Sequence, residues 1–165
     1  MLGLGVSATS VDSSATAFTN KYSLEFDGVD DFVILGQNNL LRPNIEAGIS
    51  FSIWCKWEDI TTATSRIFNN SSDPSASAYY GVSCNKNTAG KLAMSSGDGG
   101  GFGSADRQTA QTSGVVVENS TWHHIVFVWA GEASSTFRIY VDGDSKGLST
   151  SGSGGNNAYL SGVDT

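Results

Sequence analysis

The sequence predicts an all-β fold, an antiparallel two-sheet β-sandwich, and three observations carry that prediction. The first is a pair of strand-like runs within residues 121–144, TWHHIVFVWAGEASSTFRIYVDGD. From Trp122 to Trp129 nearly every residue is apolar or histidine, as in a strand covered on both faces. In the returning run Phe137, Ile139 and Val141 alternate with Arg138, Tyr140 and Asp142, the period of two that a half-buried strand requires. The second observation is composition: 20 Gly, 8 Phe, 5 Tyr and 4 Trp against 2 Pro and 2 Met describe many short strands joined by glycine-rich turns. The third is that no stretch keeps helical periodicity over three turns. A chain of 165 residues suits one domain that buries a core without staples.

In chain order, residues 1–20 are small and polar apart from Leu2, Leu4, Val6, Val11 and Phe18, and read as an N-terminal arm; residues 21–165 read as the sandwich. Tyr22 to Phe26 alternates, Asp27-Gly28-Val29-Asp30-Asp31 turns, and Phe32 to Leu35 returns as a strand. Residues 36–48, with Pro43, form a connection. From Ile49 to Trp57, Phe51, Ile53, Cys55 and Trp57 share one face, and Trp54 looks to the other side. Arg66 to Phe68, Ala78 to Cys84 and Leu92 to Met94 are short strands. Ser95 to Gly103 is a glycine loop; no Gly-Lys-Ser/Thr follows it, so it is no phosphate-binding loop. Val115 to Val117 leads into a turn at Asn119-Ser120, and Asp142-Gly143-Asp144 stops the second run of the hairpin, because aspartate bonds its own backbone and glycine supplies positive φ. Beyond Gly147 the chain is rich in Ser, Gly and Asn until Ala158 to Leu160, one more expected strand. Tyr22 to Ile34, Phe51 to Trp57 and Trp122 to Val141 are expected in the central strands.

Trp122-His123-His124 with its alternating apolar residues, followed by Ile139-Tyr140-Val141-Asp142-Gly143, resembles the laminin G-like, concanavalin A-like jelly-roll domains, in which a WHH strand pairs with a YVDG strand. Tyr22 to Ile34 is similar to that family's opening hairpin, and Ile49 to Trp57 resembles its strand of the form "FTisaWvk", with the first Trp falling early. The three blocks keep the family's order over Tyr22 to Gly147. The family continues through a strand of the form "G-iDEvriyn", which nothing after Gly162 supplies. The resemblance implies a non-enzymatic binding or structural module, and leaves the ligand open because one fold hosts unrelated functions. The MLGLG start with a Ser/Thr/Ala-rich lead resembles small structural proteins of bacterial viruses. That implies a virion surface or tail-associated protein contacting host glycans or neighbouring subunits. A sandwich without that last strand leaves an unpaired edge, and residues 1–20 could reach a neighbour in an oligomer or particle by strand addition, against a monomer with a frayed arm. The alternatives are a secreted carbohydrate-active enzyme fragment and an adhesion module of a larger extracellular or cell-surface protein.

A net charge of −7 and a pI near 4.5, with only 9 scattered Lys and Arg, argue against binding nucleic acid through its phosphates. No apolar stretch is long enough to span a membrane. The first residues lack the basic start and apolar centre of a secretory signal, so export by that route is not expected.

No catalytic set is expected. Glu25-Phe-Asp27-Gly-Val-Asp30 superficially matches the E-x-D-x-x-E strand of jelly-roll glycoside hydrolases, but retaining hydrolysis needs two carboxyls about 5 Å apart, and Gly28 breaks the strand between them. His123 and His124 are adjacent, so in a strand they face opposite ways and cannot share a metal. Calcium is a possible cofactor because hard cations want several oxygens and related domains hold it in rim loops; Asp27, Asp30, Asp31, Asp142 and Asp144 are the candidates, against a plain role in capping turns. A sugar could stack on an exposed aromatic, and Trp54, Trp57, Tyr79, Tyr80 and Trp129 are the candidates, each equally suited to a sandwich core. Cys55 and Cys84 fall in strands and read as free buried thiols that could be neighbours in a sheet.

Overall fold

The alternating and aromatic runs fold into strands in a computed structural model that describes residues 22–34, 49–69, 80–98, 107–129 and 136–152. Two compact units separate between Ile34 and Leu35. The larger one contains β1 (Ile49–Cys55), β2 (Ser65–Asn69), β3 (Tyr80–Lys86), β4 (Leu92–Asp98), β5 (Arg107–Thr112), β6 (His123–Trp129), β7 (Phe137–Val141), β8 (Asp144–Ser145) and β9 (Leu148–Ser151). They form a four-stranded sheet, β1-β6-β7-β8, and a five-stranded sheet, β2-β3-β4-β5-β9, with every neighbouring pair antiparallel. No α-helix occurs among the described residues.

The core lies between the sheets. Ile125, Phe127, Trp129, Phe137, Ile139 and Val141 come from the four-stranded sheet, and Val82, Cys84, Leu92, Met94 and Ala110 from the other. Each such side chain removed from water contributes about 1.5–3 kcal/mol before conformational entropy is counted. Lys86 follows Val82 and Cys84 on the inward face of β3 and is fully covered. Its Nζ donates to Ile60 O at 3.0 Å and Ala63 O at 3.3 Å, so one cation ties the β1–β2 connection over the end of the sandwich. Burial pushes that ammonium below the usual lysine range, with Asp59 opposing the shift. At the same end Asn119 Oδ1 accepts the Ile60 N–H at 2.8 Å, and the Ser120 N–H donates to Trp57 O at 2.7 Å, joining the turn before β6 to the end of β1.

Several expectations need correction. Residues 22–34 form no strand: the Asp27 N–H donates to Asp31 Oδ2 at 2.9 Å and the Val29 N–H to Asp27 Oδ1 at 2.8 Å, so carboxylates take the turn's donors and no ladder forms. Tyr22, Leu24, Phe26, Val29, Phe32, Val33 and Ile34 are all exposed, so the alternation of this segment buries no apolar face. β1 is an edge strand among the described residues, not a central one. β6 begins at His123, and its outward residues are half-buried, so it alternates where an all-apolar run promised cover on both faces. Ser95 to Asp98 continue β4 instead of starting a loop. β5 and β9 were not expected, because RQTAQT and LSTS carry one large or small apolar residue each. Cys55 and Cys84 are free, but they lie in different sheets. The arm at residues 1–20 and the strand expected at 158–160 lie outside the described residues.

Candidate functional site: the histidine pair and the outer face of the four-stranded sheet

β6 opens with two adjacent imidazoles that the pleat sends to opposite faces, as the sequence requires. His123 turns inward and is buried. Its Nε2 accepts the Glu118 N–H at 3.1 Å; a backbone amide can only donate, so the ring hydrogen sits on Nδ1 and is given to Asp142 Oδ2 at 2.7 Å. Asp142 Oδ1 accepts the His124 N–H at 2.9 Å. These bonds, the one from His123 first, hold the Asp142 carboxyl below the usual aspartate range. Asp142 (φ 55) and Gly143 (φ 88) are both left-handed, the pattern of a two-residue type I′ turn between Val141 and Asp144. A cleft of about 370 Å³ lies beside this pair, lined by Val115 to Val117, Glu118, Val141, Asp144 and Lys146. Both nitrogens of His123 are committed to structure, so the cleft has no imidazole free to move a proton.

His124 turns outward. Its Nε2 lies 2.8 Å from Ser52 Oγ, and its ring stacks with the Trp54 indole at 5.1 Å between centroids and 28° between planes. Trp54 is 61% exposed, so the imidazole braces the indole while much of it meets solvent. The register extends this face: Trp54 lies opposite His124, Ser52 opposite Val126, Val126 opposite Tyr140, and Tyr140 opposite Ser145. The result is a shallow surface of two aromatic rings, a valine between them and a margin of hydroxyls.

The other candidate aromatics are elsewhere. Trp129 is buried in the core against Phe137, and Trp57 is half-buried beside the Asn119 bridge. Tyr79 lies outside the described residues, and Tyr80 opens β3 with its side chain outside them. Of the five aspartates, Asp27, Asp30 and Asp31 each offer an oxygen within 4.8 Å of the others and could hold a hard cation, although the carboxylates of Asp27 and Asp31 already cap the turn. Asp142 and Asp144 belong to the β7–β8 turn. Sequence reasoning missed Ser52, His124 and Tyr140 as companions of Trp54. Alternation places each on an outer face, but only the register between strands brings them together.

Two stacked antiparallel sheets around an aromatic core place the chain among jelly-roll sandwiches. Residues 27–163 match the Laminin_G_3 family of the concanavalin A-like lectin/glucanases superfamily, and the chain belongs to that family. Membership suggests a carbohydrate-binding or adhesion module, and the superfamily also includes glucanases. Comparison with curated proteins and with solved structures returns no match.

Proposed function

We propose that this chain is a non-enzymatic binding module that seats a sugar ring on Trp54. The observation that carries the reading is an indole left 61% exposed on a sheet face while its neighbour His124 is fixed beneath it by Ser52. The exposed indole presents a broad apolar face, and a pyranose offers an apolar ring face for stacking with hydroxyls at its edge. Ser52 and His124 stand beside the indole to meet those hydroxyls. The commitment of both His123 nitrogens and the use of the Asp27 and Asp31 carboxylates in a turn support binding without turnover.

Retention of the protein on gels containing laminarin, agarose or other neutral polysaccharides tests this reading. Retardation by at least one polymer, lost on Trp54→Ala, is expected; equal migration of both proteins in every gel would contradict it. In its biological setting we place the module on the surface or tail of a virion, contacting host glycans or neighbouring subunits. The virus-like N-terminal motif and the family's binding character support that placement. Mass spectrometry of purified particles is the check, and absence of the chain from them would count against it.

A further inference from the structure

We infer that Tyr140 supplies a second sugar contact on the Trp54 face, so that the site takes an extended neutral oligosaccharide in preference to a single sugar. This rests on the sugar-binding reading above. Trp54 lies opposite His124; Val126, two residues along β6 on the same face, lies opposite Tyr140. The two rings are thus rooted two strands and one pleat repeat apart, about 10 Å across the strands and about 7 Å along them. One pyranose seated on the indole does not reach the phenol.

Between the rings lies half-buried Val126, with Ser52 and Ser145 at either end of its row. Two rings bridged by an apolar residue and flanked by hydroxyls complement a chain of sugars, whose ring faces are apolar and whose edges are polar. The diagonal from β1 to β7 sets the direction of that chain. The net charge of −7 disfavours polyanions at long range, although the exposed Arg138 stands in the next row, and this favours a neutral chain.

The test is calorimetric titration of the full chain with laminari-oligosaccharides of one to seven glucose units, comparing wild type, Trp54→Ala and Tyr140→Ala. Wild-type affinity should rise about tenfold, about 1.4 kcal/mol, once the oligomer spans both rings, and then level off. Tyr140→Ala should abolish that gain while leaving the affinity for the shortest binding oligomer unchanged; Trp54→Ala should weaken every length. If Tyr140→Ala keeps the full length dependence, the second contact is overturned and the Trp54 site stands. If Trp54→Ala binds like wild type, both readings are overturned; if wild type binds no oligomer, the oligosaccharide reading is overturned and the polysaccharide gels decide the Trp54 site. Should the alanine variant unfold, Tyr140→Thr, a good strand former, replaces it.

Discussion

His123 Nδ1 and Asp142 Oδ2 stand 2.7 Å apart, fastening the turn between β7 and β8 to the first residue of β6. The same carboxylate accepts the His124 N–H, so one side chain joins the start of one strand to the end of its neighbour.

That arrangement predicts a defined acid response. The Asp142 carboxyl is held below its usual value by its bonds to His123 and to the His124 amide. A depressed folded pKa stabilises the fold above the unfolded value of about 4, and the contribution is lost as pH falls through the lower folded value. Asp142→Asn keeps the left-handed backbone and an oxygen for the His124 N–H. Its stability deficit in urea titrations should therefore be largest above about pH 5 and shrink as pH drops below about 4. A deficit that stays constant down to about pH 2 would show that charge is not the cause.

Lys86 makes the second prediction. Replacing it with Met retains volume but leaves the Ile60 and Ala63 carbonyls without their donor. The expected loss is about 1–3 kcal/mol in urea unfolding. An unchanged midpoint would mean that water satisfies both carbonyls and that the connection does not depend on the cation.

Two glycines should separate backbone strain from steric clash. At Gly143 (φ 88) an added Cβ meets nothing within 4 Å, so Gly143→Ala should cost only the left-handed penalty of about 1–2 kcal/mol. At Gly152 (φ 80) a Cβ would lie 1.9 Å from Arg107 O on the partner strand β5. Gly152→Ala should therefore be the more damaging of the two, and equal melting temperatures would refute the close β9–β5 approach.

The thiols should be inert in the folded protein. Burial pushes Cys55 up to about 11 and Cys84 further still, so little thiolate forms near pH 8. Thiol titration with an aromatic disulfide reagent should detect neither cysteine until denaturant is added; prompt reaction of Cys84 would contradict its place in the core.

The strands legible in the sequence were those whose alternation was written in large apolar residues. Phe137, Ile139 and Val141 announce β7, and Asp142-Gly143 announces the turn that follows. β5 was hidden because Gln108, Ala110 and Thr112 fill its buried positions, and polar residues in a run of RQTAQT show no apolar period. The opposite facing of His123 and His124 follows from the pleat alone. That His124 braces Trp54 depends on the pairing of residues 70 positions apart, which local pattern does not encode. Trp129 and Trp54 look alike as residues, yet one completes the core and the other faces water, and only strand direction and register separate them.

The account turns on Trp54, and the most direct measurement is calorimetric titration of wild type and Trp54→Ala with laminarin under identical conditions. The indole is exposed and outside the core, so the variant should keep the wild-type melting temperature within a few degrees. Binding should weaken at least about tenfold, about 1.4 kcal/mol. A variant that melts like wild type and binds laminarin with undiminished affinity would contradict the assignment of this face as the ligand site.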